Sequence, residues 1–272
     1  MTQSPFSSHA IKPAIRVYLG GSFDPVHLGH VQMAMTVYER LLPFASEQNR
    51  KLHLSLLPNA RSPFKTHSTN PKHRLAMLKL AVQDTPLHID ELELWQTPPV
   101  YTIDSVRTLH AHYPNDSLIF IMGMDSASSL DRWRDGLELT DYVNLWIFDR
   151  VDISTEPVDV KVISQPDAVK RLPIELQAQT TDSVINILKP LKTNDQGHIY
   201  IDRRAIASVS STQIRQLLAA PKRDPSVKSQ MSVTSVTPIN DIIGSISPNL
   251  LDKWLNPAVY HYIMTHQLYS RA

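Results

Sequence analysis

Cysteine is absent from this 272-residue chain, which excludes disulfide bonds and thiolate nucleophiles and suits a reducing compartment. Glycine is scarce, with 7 residues in all, where average usage is about 7%. Neither sign of charge dominates. The 27 basic and 26 acidic side chains leave a net charge of +1, too little for a general nucleic-acid or membrane surface, so any anionic ligand must be met by a local site. No apolar run approaches the ~20 residues of a membrane span, and Met1 to Arg16 lacks the apolar core of a secretory leader. These absences predict a cytoplasmic protein with neither nucleic acid nor membrane as partner. What is present, 42% hydrophobic residues, suffices for one substantial core.

Scarcity makes the position of each glycine informative. Gly20, Gly21 and Gly29 all fall in the run Gly20-Gly21-Ser22-Phe23-Asp24-Pro25-Val26-His27-Leu28-Gly29-His30, and the expectation is that backbone there approaches a ligand closely or takes φ > 0. The run follows an apolar strand, Ile15 to Leu19, and precedes Val31, Ala34, Met35, Tyr38, Leu41 and Leu42 at helical spacing. It is therefore a strand-to-helix turn. Asp24 and Pro25 fit an N-cap and first-turn pair, and a helix starting nearer Leu28 fits as well. Free N–H groups and a positive dipole end at such a start favour phosphate, and His27 and His30, three apart, would lie on one side of it. A tight connection with solvated imidazoles fits the same residues. A zinc pair lacks a third ligand at recognisable spacing, and the G-x-G-x-x-G dinucleotide fingerprint is absent.

Strands and helices then alternate: a strand at Leu52 to Leu57, helices at Pro71 to Val82 and Ile103 to His112, strands at Ser117 to Met122 and Val143 to Phe148. The alternation predicts an α/β fold, a doubly wound Rossmann-like parallel sheet with C-terminal helices. Ligands in such sheets sit beyond the carboxyl ends of the strands at the topological switch point. Residues 1–14 read as a polar tail and 15–272 as one domain carrying a loop insertion at 221–247, rich in Ser, Thr and Val. Residues 151–170 read as loops with a short edge strand. Farther on, Val209-Ser210-Ser211-Thr212-Gln213-Ile214-Arg215 follows a short strand, His198 to Ile201. Ser210 with Gln213 fits a capping box, and Ser211 and Arg215 share one helix face. Two capped helix starts, two imidazoles and a guanidinium make a donor-rich site suited to phosphoryl or nucleotidyl transfer, where positioning and charge stabilisation carry most of the work.

GGSFDPVHLGH resembles the GG-x-F-D-P-x-H-x-G-H signature of the nicotinate-nucleotide adenylyltransferases, a branch of the HxGH nucleotidyltransferase superfamily, and Val209 to Arg215 resembles the I-S-S-T-x-I-R motif of the same superfamily. Pro99-Val100-Tyr101-Thr102 is similar to P-S-Y-T with Val100 in place of Ser, and Gly123-Met124-Asp125-Ser126 is similar to G-x-D-S. Trp133 matches a tryptophan that stacks on the pyridine ring, with Arg134 where the family often has Tyr. The loop Pro58 to Lys65 resembles P-x-x-x-P-P-H-K, with Ser62 and Phe64 replacing a proline and the histidine. The closing stretches Leu255 to Ile263 and Gln267 to Tyr269 resemble P-x-x-V-x-x-Y-I and L-Y and are read as packing only.

The resemblance implies transfer of the adenylyl group of ATP to nicotinate mononucleotide, giving deamido-NAD and pyrophosphate, with Mg²⁺ accompanying ATP and no protein metal site. It implies that His30 donates to the α-phosphate in the transition state while His27 and Arg215 help hold the triphosphate, and it carries Lys65 over as a further catalytic residue. Gly20, Gly21, Ser22, Phe23, Gly29, Gly123, Asp125, Ser211 and Thr212 would contact ATP, and Tyr101, Thr102, Trp133 and Arg134 the pyridine mononucleotide. Nicotinamide mononucleotide or phosphopantetheine as acceptor, a non-catalytic nucleotide sensor and a homo-oligomeric state stay open at this point.

Overall fold

β1 (Ile15–Gly21) is the strand on which the sheet is laid out. The chain forms β1, then α1 (Leu28–Glu47), β2 (Leu52–Pro58), α2 (Pro71–Val82), β3 (His88–Ile89), α3 (Thr102–His112), β4 (Ser117–Gly123), α4 (Met124–Ala127) and β5 (Asn144–Phe148). It continues with α5 (Gln165–Val169), α6 (Ile174–Gln177), β6 (Thr180–Thr181), β7 (Ile199–Asp202), α7 (Ser211–Ala219), α8 (Asn249–Trp254) and α9 (Pro257–Thr265). This computed structural model describes residues 12–61, 68–149, 165–204, 206, 209–220 and 249–270. The expected insertion at 221–247, the loop lysine Lys65 and most of 151–170 lie outside the described residues.

The strands form one seven-stranded sheet in the order β3-β2-β1-β4-β5-β7-β6, and every pairing is parallel. Helices cover both faces, so side chains alternate between two cores rather than between core and water. Val17 and Leu19 of β1 and Ile119 and Ile121 of β4 join Met33, Met77, Ile214 and Val259 on one face. Tyr18, Leu118, Phe120 and Met122 join Ile103, Val106, Met124 and Leu176 on the other. The chain steps outward from β1 to β2 and β3 and then returns to place β4 on the other side of β1, with Leu19 in register with Ile121. The switch point therefore lies between the carboxyl ends of β1 and β4, beside Gly20-Gly21 and Gly123.

The doubly wound sheet is as expected. The edge strands β3 and β6, of two residues each, are not among the expected elements, and the described end of the 151–170 stretch carries helix α5. Of the two reasons given for the glycines, the positive φ is not found. No described glycine takes a positive φ; the residue that does in this turn is Phe23, at φ 47°. Gly20 is required by packing, since a Cβ there would overlap the ring tip of Phe120, and a Cβ on Gly21 would stand 3.1 Å from the ring of Phe23.

Gly20→Ala is accordingly expected to destabilise the fold by about 1–3 kcal/mol through overpacking. A second change, Phe120→Leu, should recover part of that loss in urea denaturation midpoints, because it withdraws the atoms that the new methyl meets.

Candidate active site

The turn after β1 does not cap its helix with Asp24. α1 begins at Leu28, and His27, extended at φ −141°, is the N-cap. Its N–H donates to Nδ1 of His30 at 3.2 Å, so the neutral His30 ring carries its proton on Nε2, which becomes a donor. The two rings stack with centroids 3.6 Å apart, and the buried Phe23 ring meets His30 edge-on at 4.9 Å. A bulky residue in the left-handed region is costly; here it places an aromatic wall behind the imidazole.

The second motif docks on this turn. α7 has the expected capping box, with Ser210 Oγ accepting from the Gln213 N–H at 3.2 Å and the Gln213 side chain accepting from the Ser210 N–H at 2.9 Å. From the first residue of the helix, Ser211 Oγ donates to the Pro25 carbonyl at 2.9 Å, 186 residues away in the chain, and one turn on Arg215 donates to the Asp24 carbonyl at 2.5 Å. Arg215 also donates to Thr212 Oγ1 at 3.0 Å. The Gly21 carbonyl accepts from the Asn59 N–H at 3.0 Å. The turn's carbonyls are thus occupied by donors from other elements.

In front of the turn lies a cavity of about 370 Å³, bordered by Gly20, Gly21, Ser22, Phe23, His27, His30, Thr102, Gly123, Asp125, Trp133, Ser211 and Thr212. These residues come from the two switch-point strands and the turns after them, from the segment between α4 and β5 that carries Trp133, and from the starts of α1, α3, α4 and α7, so the positive dipole ends of α1, α3 and α7 converge there. Other predicted residues stand apart from the cavity wall. Gly29 is buried in the first turn of α1. Arg215 sits behind the turn, held as described. Arg134 stacks its guanidinium 4.8 Å over the Tyr101 ring and stands 3.9 Å from Asp104, so the pair faces itself. Met33, Asn59, Glu93, Phe120, Met122, Ser126, Val209 and Ser210 also border the cavity and were not among the sequence candidates. For Glu93 a signal existed, an acid held between Leu92 and Leu94.

A parallel sheet with a donor-lined cavity at its switch point defines a nucleotide-handling α/β enzyme. Residues 18–217 match the family model described as cytidylyltransferase-like. A "Probable nicotinate-nucleotide adenylyltransferase" of Pseudoalteromonas atlantica is 31% identical over 262 residues, covering 96% of each chain. One of the same name from Pseudomonas fluorescens is 34% identical over 207 residues, covering 75% of this chain and 86% of its own. The chain belongs to the cytidylyltransferase-like family and, within it, to the nicotinate-nucleotide adenylyltransferases. A solved structure titled as Plasmodium falciparum nicotinic acid mononucleotide adenylyltransferase complexed with NaAD shares the fold, with a TM-score of 0.58 at 18% identity over 94% of this chain and 97% of that one.

Two acids near the cavity are treated oppositely. Burial alone would raise the pKa of Asp24, but its carboxylate accepts from the Thr69 N–H at 3.1 Å and the Tyr269 hydroxyl at 2.6 Å with Arg215 nearby, and the balance lowers it below the usual range. The hydroxyl bond also corrects the reading of the C-terminal stretch as packing only. Glu93 is 5% exposed. No described Lys or Arg pairs with it, and burial, assisted by Asp90 and opposed by Ser105, pushes its pKa up to about 7. Folded Glu93 therefore holds its proton more tightly than the unfolded chain does, so its effect on stability is neutral below pH 4.5 and unfavourable by about 3 kcal/mol above pH 7. Relative to wild type, Glu93→Gln should gain stability progressively between pH 5 and 8, as read from urea midpoints at each pH. An unchanged difference across that window would remove the buried-acid assignment.

Proposed function

We propose that this enzyme transfers the adenylyl group of ATP to nicotinate mononucleotide, forming deamido-NAD and pyrophosphate, the adenylyl-transfer step of NAD synthesis, in the cytoplasm. The observation that carries the reading is the meeting of the two distant motifs at one cavity: His27 and His30 border it together with Ser211 and Thr212, and Ser211 and Arg215 bond to the carbonyls of the histidine-bearing turn. The names of the curated relatives supply the acceptor.

The 5′-phosphate oxygen of the mononucleotide attacks the α-phosphorus of ATP in line. The new P–O bond forms as the bond to the β-phosphate bridging oxygen breaks, and pyrophosphate departs with that electron pair. Nε2 of His30, protonated because Nδ1 already accepts from His27, donates to the α-phosphate oxygen as its charge rises, a preorganised contribution of the oxyanion kind. The backbone at Gly21, Ser22 and Phe23 and the helix starts at His27 and Ser211 receive the phosphate chain, while Trp133 supplies a flat face for the pyridine ring. Such faces contribute about 1–3 kcal/mol per stacked base. Mg²⁺, which keeps much of its water and binds phosphate oxygens with one or two carboxylates, fits this wall, where exposed Asp125 is the carboxylate able to reach it. When bound, the ion neutralises phosphate charge. Its arrival with ATP belongs to the same proposal.

A pyrophosphate-release assay with ATP and either nicotinate or nicotinamide mononucleotide should show turnover with the nicotinate form favoured. No release with either would end the proposal. His30→Ala should lose about 10²- to 10³-fold in kcat with ATP affinity nearly kept, and wild-type turnover in that variant would refute the donor role. Trp133→Ala should raise KM for the mononucleotide about tenfold and leave KM for ATP alone.

A further inference from the structure

Arg74 is fully buried in the first half of α2 and has 0% exposure, yet it is absent from the cavity wall. Its guanidinium donates to four carbonyls: Nε to Thr69 at 3.1 Å, Nη1 to Ser22 at 2.8 Å and to Asn59 at 2.7 Å, and Nη2 to Ala60 at 2.6 Å. Ser22 and Asn59 border the cavity, and each follows directly on the end of a central strand. In a trans peptide C=O and the next N–H point in opposite directions. Pulling the Ser22 carbonyl back onto Arg74 therefore turns the Phe23 N–H the other way, on the face of the turn that borders the cavity.

Tyr269 grips the same turn from another direction. Its hydroxyl donates to Asp24 at 2.6 Å across 245 residues, and Asp24 in turn accepts from the Thr69 N–H, whose carbonyl Arg74 holds. Tyr269 keeps a left-handed backbone at φ 64° while doing so, an unfavourable conformation for a bulky residue that persists where surroundings dictate it.

We propose that Arg74 and Tyr269 are positioning residues for adenylyl transfer: a clamp behind the turn that fixes the direction of its backbone N–H groups without touching either nucleotide. The role rests on the reading of the cavity as the ATP site. A planar fork with five donors can serve carbonyls on several sides at once, and an ammonium with its donors on one nitrogen cannot. Arg74→Lys keeps the charge and loses the fork, and Tyr269→Phe keeps the ring and loses the bond.

The test compares purified full-length wild type, Arg74→Lys, Tyr269→Phe and, as a control, Met77→Ala, a core change on the same helix at a side chain of 0% exposure. Thermal melts and steady-state pyrophosphate release are measured on each. Release by the wild type tests the ATP-site reading, so failure of that reading appears in a different arm from failure of the clamp. Arg74→Lys should lose about 10²-fold in kcat and Tyr269→Phe about tenfold, both with KM for nicotinate mononucleotide within threefold of wild type. Met77→Ala should keep kcat within threefold despite an equal or larger fall in Tm. Wild-type kcat in Tyr269→Phe overturns the proposal, and so does a kcat loss in Met77→Ala that matches Arg74→Lys. Tyr269→Phe, isosteric with the native residue, decides the outcome by itself if Arg74→Lys does not fold.

Discussion

The rest of the site depends on where the carbonyls of one short turn point. Between β1 and α1 the chain must hold its N–H groups toward an anion, and a peptide can do so only if its C=O groups find partners on the opposite side. Here those partners are four residues from three separate places: the loop after β2 for Gly21, α2 for Ser22, and two residues of α7 for Asp24 and Pro25. None of these donors is a neighbour in sequence. The site is consequently a product of the whole sheet and of the helices on one face, and it forms only when β1, β2 and the C-terminal helices are packed.

This dependence explains what was legible in the chain and what was not. The two motifs were readable because each is local: glycines, imidazoles and a capping box within a few residues, flanked by strand and helix patterns of sufficient length. Their meeting was readable only as an expectation from the doubly wound topology. Arg74 gave no signal. It stands in the stretch Pro71-Lys72-His73-Arg74 at the start of a helix, beside two other polar residues, and the carbonyls that bury it belong to Ser22, Asn59, Ala60 and Thr69 in loops outside the helix. Tyr269 read as a packing aromatic because nothing near it identifies Asp24 as the acceptor. The edge strands β3 and β6 have two residues each, too few for any period to emerge, and tertiary pairing alone defines them. The positive-φ half of the glycine reading failed for a related reason: composition marked Gly20 as special, but a constraint on it is the Phe120 ring on the neighbouring strand, a contact invisible to local reasoning.

The opposite fates of Asp24 and Glu93 follow from the same economy of charge. On the proposed reading of the cavity as a polyphosphate site, these two acids add little bare negative charge to it, and exposed Asp125 is left for the cation that accompanies ATP. Asp24 is ionised but already spent on donors from Thr69 and Tyr269, so its charge is directed into the clamp. Glu93, on the cavity wall and with no cation paired to it among the described residues, has its proton held by burial up to about pH 7. One acid keeps its charge but turns it onto hydrogen-bond donors, and the other loses its charge by protonation, so neither directly offsets the converging helix N-termini. Above neutrality the second route fails, since the proton that burial holds is then released. On the proposed reading of the cavity, an ionised Glu93 would oppose an incoming phosphate where the helix dipoles attract it.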